Sequence, residues 1–382
     1  MSSSCEGGTR VRFGEVVRLS TERCTDPLAQ GIDRYVGLEH LEPSDLRIRS
    51  WGNVADGVTF TNRFRPGHVL FGKRRAYQRK VAVAEFDGIC SSDIYVFEPA
   101  DGRLLSDLLP FICQTEGFFE HALKTSAGSL SPRTNWSSLA DYEFDLPPIE
   151  EQRSRVSVLQ LAHIHSGALK EVSAAARRLL SALAQDFEAR HPESITLADL
   201  VTRLEPGSSP PSDGVAVAEG PAVLKVSAVG DWVFREDENK SILPKYFDSA
   251  AEVHPGDILF TRANADVAGV GRSCVVGSCR GGLMLSDKTW RSRLHPQFAD
   301  YGYALVAVSK GTRFRAHVER VLAGTEAKNI SQQRLLAAPV PKAPQAEWEA
   351  LNRYASTVLA AYDTAVSRSA NPVSSLVTRH VL

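Results

Sequence analysis

From Val158 to Leu183 apolar positions recur at steps of three and four: Val158, Ala162, His165, Leu169, Val172, Ala176, Leu179 and Leu183, with one histidine in the row. Pro147-Pro148 stops whatever precedes this stretch, and Ile149-Glu150-Glu151 opens it with acid in the first turn. His191-Pro192 closes it. The pattern predicts a helix over residues 149–190, a rod of about 60 Å at ~1.5 Å rise per residue. Leu351, Ala355, Val358, Tyr362 and Ala365 repeat the stepping until Pro372 interrupts it. The two seams are expected to pack as an antiparallel coiled coil; the alternative is two surface helices, each lying on its own domain.

The rest of the chain alternates differently. Short strand-like runs (Val81-Ala82-Val83, Ile94-Tyr95-Val96-Phe97, Val223-Leu224-Lys225-Val226) mix with brief helical patterns at residues 115–125 and 312–322. This is an α+β pattern. It predicts a globular domain over residues 1–148, a helical spacer over 149–190, a second globular domain over 191–342 and a second helical spacer over 343–382.

The two globular stretches are copies. Pro66-Gly67-His68-Val69-Leu70-Phe71 is matched by Pro255-Gly256-Asp257-Ile258-Leu259-Phe260. Ser92-Asp93 then matches Ser286-Asp287, and Phe118-x-x-His121 matches Phe314-x-x-His317. Gly128 matches Gly324, Asn135-Trp136 matches Asn329-Ile330, and Leu146-Pro147 matches Val340-Pro341. The offset drifts only from 189 to 196 residues, and six matches in one order indicate a tandem duplication. The unit is too long for a solenoid repeat, so each copy is a domain with its connector.

Several chemistries lack their motifs. There is no Walker-type phosphate loop, no Gly-x-Ser-x-Gly elbow, no His-Glu-x-x-His and no Asn/Asp-Pro-Pro-aromatic methyltransferase signature. Gly269-x-Gly271-x-x-Cys274 lacks the third glycine of a dinucleotide fingerprint. The six cysteines form no Cys-x-x-Cys pair and read as free thiols. His121 and His317 read as core or capping residues. No apolar run is long enough for a membrane span, and the first residues lack a signal core, so a cytoplasmic protein is expected.

Charge changes the picture locally. The chain has 44 basic and 45 acidic side chains, yet Gly57–Ala84 contains no acid and seven cations. Lys73, Arg74, Arg75, Arg79 and Lys80, with Tyr77 among them, follow the repeated Pro-Gly strand directly. Lysine and arginine pair with phosphates, arginine can fork onto a guanine edge, and tyrosine can pack on a sugar or base. The bland reading is a solvated hairpin face; the juxtaposition with the repeat favours nucleic acid. The second copy offers Arg262, Asn264, Arg272, Lys288 and Arg291. A further pair of polar segments supplies Arg133 and Asn135 in the first copy, and Lys328 and Asn329 in the second.

Phe64-Arg65-Pro66-Gly67-His68-Val69-Leu70-Phe71-Gly72-Lys73, Asp87-Gly88-Ile89-Cys90-Ser91 and Leu146-Pro147-Pro148-Ile149-Glu150-Glu151-Gln152 carry a family likeness. With two variable globular units, each followed by a helix, the chain resembles the specificity subunit of type I restriction-modification enzymes. The second copy departs from the pattern, reading Val340-Pro341-Lys342-Ala343-Pro344-Gln345 at the equivalent junction. The resemblance implies two target recognition domains, each reading half of a split sequence in double-stranded DNA. It implies paired helices that set the gap and dock two methyltransferase subunits, with translocating restriction subunits joining them. It implies no catalysis and no cofactor on this chain, S-adenosylmethionine, ATP and magnesium sitting on the partners. The same fold serving another phage-defence complex, or a helical interaction scaffold that binds no DNA, are the alternatives; an enzyme would need the motifs that are missing.

Overall fold

The strand Val69–Gly72 is buried along its whole length, and its side chains alternate between two cores. Val69 and Phe71 pack with Phe13, Phe97 and Phe118, while Leu70 packs with Val36, Phe64 and Val96. The period-two geometry of a strand covered on both faces requires such an apolar run. Strand Ile258–Thr261 does the same in the second copy: Ile258 and Phe260 face one core, and Leu259 faces another. The structure, a computed structural model, describes residues 8–126, 132–323 and 328–369. Cys5, Gly128, Ser131, Gly324 and the Pro372 interruption lie outside the described residues.

The chain divides into two compact units, one over the described residues up to Leu169 together with Arg368 and Ser369, and one over Lys170–Ser367. In the first unit one four-stranded antiparallel sheet runs in the order Val17–Leu19, Ile94–Pro99, Val69–Gly72, Val81–Val83. A second, mixed sheet runs Gly52–Asn53, Arg34–Val36, Gly88–Cys90, Asn62–Phe64. Thr9–Arg12 pairs antiparallel with Glu143–Leu146, the strand that leads into the long helix. In the second unit the order is Val201–Pro206, Thr289–Leu294, Ile258–Thr261, Ser273–Val275, Trp232–Val233, beside a three-stranded sheet built around Ala222–Leu224. Here Ser194–Thr196 pairs with Pro339–Pro341. The architecture is the expected α+β, with 3-10 turns filling many of the connections.

Internal hydrogen bonds display the duplication more fully than the sequence does. Gly67 and Gly256 both take left-handed backbone, φ 88° and 89°, in the repeated Pro-Gly turn that starts the central strand. Glu116–Lys124 and Thr312–Leu322 are the two expected helices. The His121 ring nitrogen bonds the Ser138 carbonyl at 2.6 Å, and the His317 ring nitrogen bonds the Arg334 carbonyl at 2.8 Å. Each histidine ties its helix to the next one, which satisfies a carbonyl near that helix's end.

Ile149–Arg190 is one continuous helix, its first half in the first unit and its second half in the second. The predicted seam requires a correction. Ala162 and Ala176 are buried as expected, and Leu169 and Leu183 are half-buried. Val158, His165, Val172 and Leu179, however, face outward, Val158 and Leu179 being 47% and 49% exposed. The inward row runs one residue later, through Leu159, Ser166, Ser173, Leu180 and Phe187. Two serines in that row hid it, because His165 and Val172 beside them fit the same heptad step. Within the second unit this helix packs antiparallel on Gln345–Ser369: Phe187 meets Trp348 at 5.2 Å between ring centroids, and Arg177 Nε donates to Tyr362 at 2.8 Å. Leu351, Ala355, Tyr362 and Ala365 are buried as predicted. No helix among the described residues is long and apolar enough to cross a membrane, and the five described cysteines are free.

Candidate nucleic-acid interface

Where the central strand of the first unit ends, its chain is caught by a returning segment. Arg75 N donates to the Pro132 carbonyl at 2.8 Å, and Thr134 N donates to the Lys73 carbonyl at 3.0 Å. The result is an isolated antiparallel bridge between Arg74 and Arg133. Lys73 N donates to the Asp93 carbonyl at 3.0 Å. The second unit repeats this cradle: Asn264 N to the Lys328 carbonyl at 3.1 Å, Ile330 N to the Arg262 carbonyl at 2.9 Å, and Arg262 N to the Lys288 carbonyl at 2.7 Å. Its bridge joins Ala263 to Asn329. The structure thus brings together in each unit the two sequence segments singled out separately.

The structure also corrects two repeat matches: the cradle bonds and the helix starts make Asn135 equivalent to Ser331, not to Asn329, and strand register moves the Ser-Asp match. Phe71 faces Tyr95 and Gly72 faces Ile94, whereas Phe260 faces Trp290 and Thr261 faces Thr289. The position equivalent to Asp93 is therefore Lys288, not Asp287. An acid in the first cradle is replaced by a base in the second.

The acid-free run is not a free cationic surface. Arg63 is forked onto Asp87 at 2.6 and 3.1 Å, and Arg65 is forked onto Glu22. Hydrogen bonds from these arginines hold both carboxyls below their ordinary values. Arg79 pairs with Glu116 and lies over the Phe119 ring, and Lys80 Nζ donates to the Leu38 carbonyl at 2.7 Å. Lys73 Nζ sits 4.5 Å from the Tyr95 ring centre, where burial lowers its pKa despite Asp93 nearby. The acids come from distant parts of the chain, so a local count of charge could not see them.

What remains outward is narrower. Arg75 is exposed and has no side-chain ion pair among the described residues. Arg75 and Arg79 both adopt left-handed backbone (φ 55° and 52°), bracketing the turn Ala76–Gln78 that presents Tyr77 at 54% exposure. Non-glycine residues held in this region mark a turn over-determined by its surroundings. Arg74 and Arg133 share Asp93, at 3.3 and 3.0 Å, and Arg133 remains exposed. Asn135 is exposed at the start of helix Trp136–Ala140. In the second unit Arg262, Lys328 and Asn329 are exposed, while Asn264 is half-buried and its side-chain oxygen accepts from Ala265 N at 2.7 Å. Lys288 pairs with Asp287. A cavity of about 570 Å³ opens beside Lys288, its wall including Ser209, Asp213, Lys225, Lys240 and Asp287. The sequence reading missed Asp93, Lys225 and Lys240; only the repeated Ser-Asp pair pointed near them.

Arg291 is a correction. Its side chain is only 6% exposed and is enclosed by Glu205, Asp257 and two carbonyls, so it holds the second unit together and does not face a ligand.

No family model matches the chain. It is 29% identical over 155 residues to the type I restriction enzyme EcoDI specificity subunit of Escherichia coli, a match covering 38% of this chain and 32% of that protein. It is 36% identical over 132 residues to the EcoEI specificity subunit of Escherichia coli, covering 32% of this chain and 21% of that one. The matched length is thus about a third or less of these curated relatives. The crystal structure of a type I restriction-modification system S subunit from M. genitalium superposes with a TM-score of 0.62 at 11% identity, over 99% of this chain and 97% of that one. In sequence, over about a third of its length, the chain resembles type I restriction enzyme specificity subunits, and over nearly all of its length it shares the fold of a type I S subunit.

Proposed function

We propose that the chain is the DNA-specificity subunit of a type I restriction-modification complex. Each compact unit reads half of a bipartite target in double-stranded DNA. The long helices set the gap between the halves and dock two methyltransferase subunits, and restriction subunits complete the assembly. The chain performs no catalysis, S-adenosylmethionine, ATP and magnesium being held by its partners, and it works in the cytoplasm. The observation that carries this reading is the cradle, built twice by the same backbone hydrogen bonds and carrying an exposed basic or amide side chain each time. Docking draws support from the outward row Val158, Leu161, Ile164, Val172 and Leu179, apolar side chains exposed along one helix.

Binding of the full chain to duplex DNA tests the proposal. Affinity is expected to fall steeply between about 50 and 200 mM salt, because phosphate contacts release counterions. Arg75→Ala and Arg262→Ala are each expected to reduce the slope of log K against log salt by about one. Absence of binding, or binding insensitive to salt and to both variants, would instead favour a protein-bridging scaffold.

A further inference from the structure

The two cradles share a backbone but not a chemistry. Their hydrogen bonds and strand registers make Arg75 equivalent to Asn264, and Arg133 equivalent to Asn329. At both pairs the first unit carries a guanidinium and the second carries an amide. The position behind them changes as well, from Asp93 to Lys288. Asp93 is little exposed and binds Arg74 and Arg133 together, which fixes the direction of the Arg133 fork. In the second unit Ala263 and Asn329 need no such acid, and Lys288 turns to Asp287. Of the two amides Asn329 is exposed, whereas Asn264 is packed against Gly269 and uses its oxygen locally.

We infer that the two units read different bases through one cradle: Arg133 of the first unit recognises guanine, and Asn329 of the second recognises adenine. This rests on the DNA-reading role proposed above. The chemistry follows from donor and acceptor counts. A guanidinium has donors only and matches the two major-groove acceptors of guanine, O6 and N7. An amide has a donating NH2 group beside an accepting oxygen and so matches the N7 and the amino group of adenine. Arg133 touches Asp93 through one Nη at 3.0 Å while its side chain stays largely exposed, so Asp93 is a positioning residue.

Selection of duplexes from a random-sequence pool by the full chain tests this directly. The unmodified chain is expected to enrich a two-part motif with a guanine fixed in one half and an adenine fixed in the other. Arg133→Asn should reduce the guanine preference at one position about 5- to 150-fold and leave the other half unchanged. Arg133→Lys, which retains charge but loses the fork, should relax the same position. Asn329→Arg should shift one position of the other half toward guanine. Unchanged base preferences in all three variants, or a uniform loss of affinity with the motif intact, would overturn the assignment while leaving the DNA-reading role standing. Failure of the unmodified chain to enrich any two-part motif would overturn both.

Discussion

Replacing Arg291 with alanine is expected to destabilise the second unit by about 3–5 kcal/mol. The guanidinium is almost entirely enclosed. Nε donates to Glu205 at 2.8 Å, Nη1 to Asp257 at 3.3 Å and to the Glu252 carbonyl at 2.7 Å, and Nη2 to the Ala250 carbonyl at 2.8 Å. Removing it leaves the buried Asp257 with Arg293, at 3.6 Å, and the half-buried Glu205 with Arg203 and Arg293, at 2.6 and 3.0 Å. The large effect comes from stranding Asp257 and the two carbonyls in the interior, not from an intrinsically strong ion pair. Burial pushes the Glu205 carboxyl up, but Arg291 and Arg293 outweigh it and hold the group below its ordinary value. Its contribution is therefore complete above about pH 4.3 and is lost as pH falls through the lowered value. Arg291→Lys should be milder than alanine, since charge survives and the fork does not. Denaturant unfolding followed in the second unit measures both; a change below about 1 kcal/mol for alanine would contradict the assignment.

Phe187→Ala is expected to cost a similar amount, about 3–5 kcal/mol. Phe187 is fully buried where the two long helices meet, its ring 5.2 Å from Trp348 and 4.8 Å from His191. Its removal opens a cavity among Leu197, Leu351 and their neighbours that a helix pair fixed at both faces cannot close. Trp348→Ala should act on the same contact, so the double variant should fall short of the sum by about 0.5–1.5 kcal/mol. Strict additivity in that cycle would show that the two rings do not meet.

These two residues also mark what the sequence could and could not reveal. Helix limits at Ile149 and Arg190 were legible, because Pro147-Pro148, Pro192 and an acidic first turn act locally. So were the repeated strand and its Pro-Gly turn, where a continuous apolar run and a glycine at positive φ leave few alternatives. The face of the long helix was read one residue out of phase, since Ser166 and Ser173 occupy its inward row. Charge was read least well. Arg291 looked like a ligand-facing base because Glu205 and Asp257 lie far away in sequence, and the strip Arg63–Lys80 looked unpaired for the same reason. Arg133 and Asn329, chosen on weak polar character, lie at equivalent positions because backbone hydrogen bonds place them there.

Mapping methylated adenines across the genome of the host, with this gene present and deleted, tests the central claim most directly. The account predicts that deletion removes methylation from one two-part motif, with a fixed gap between halves, and leaves other modified sites unchanged. An unaltered methylation map, in cells that produce the protein, would contradict it.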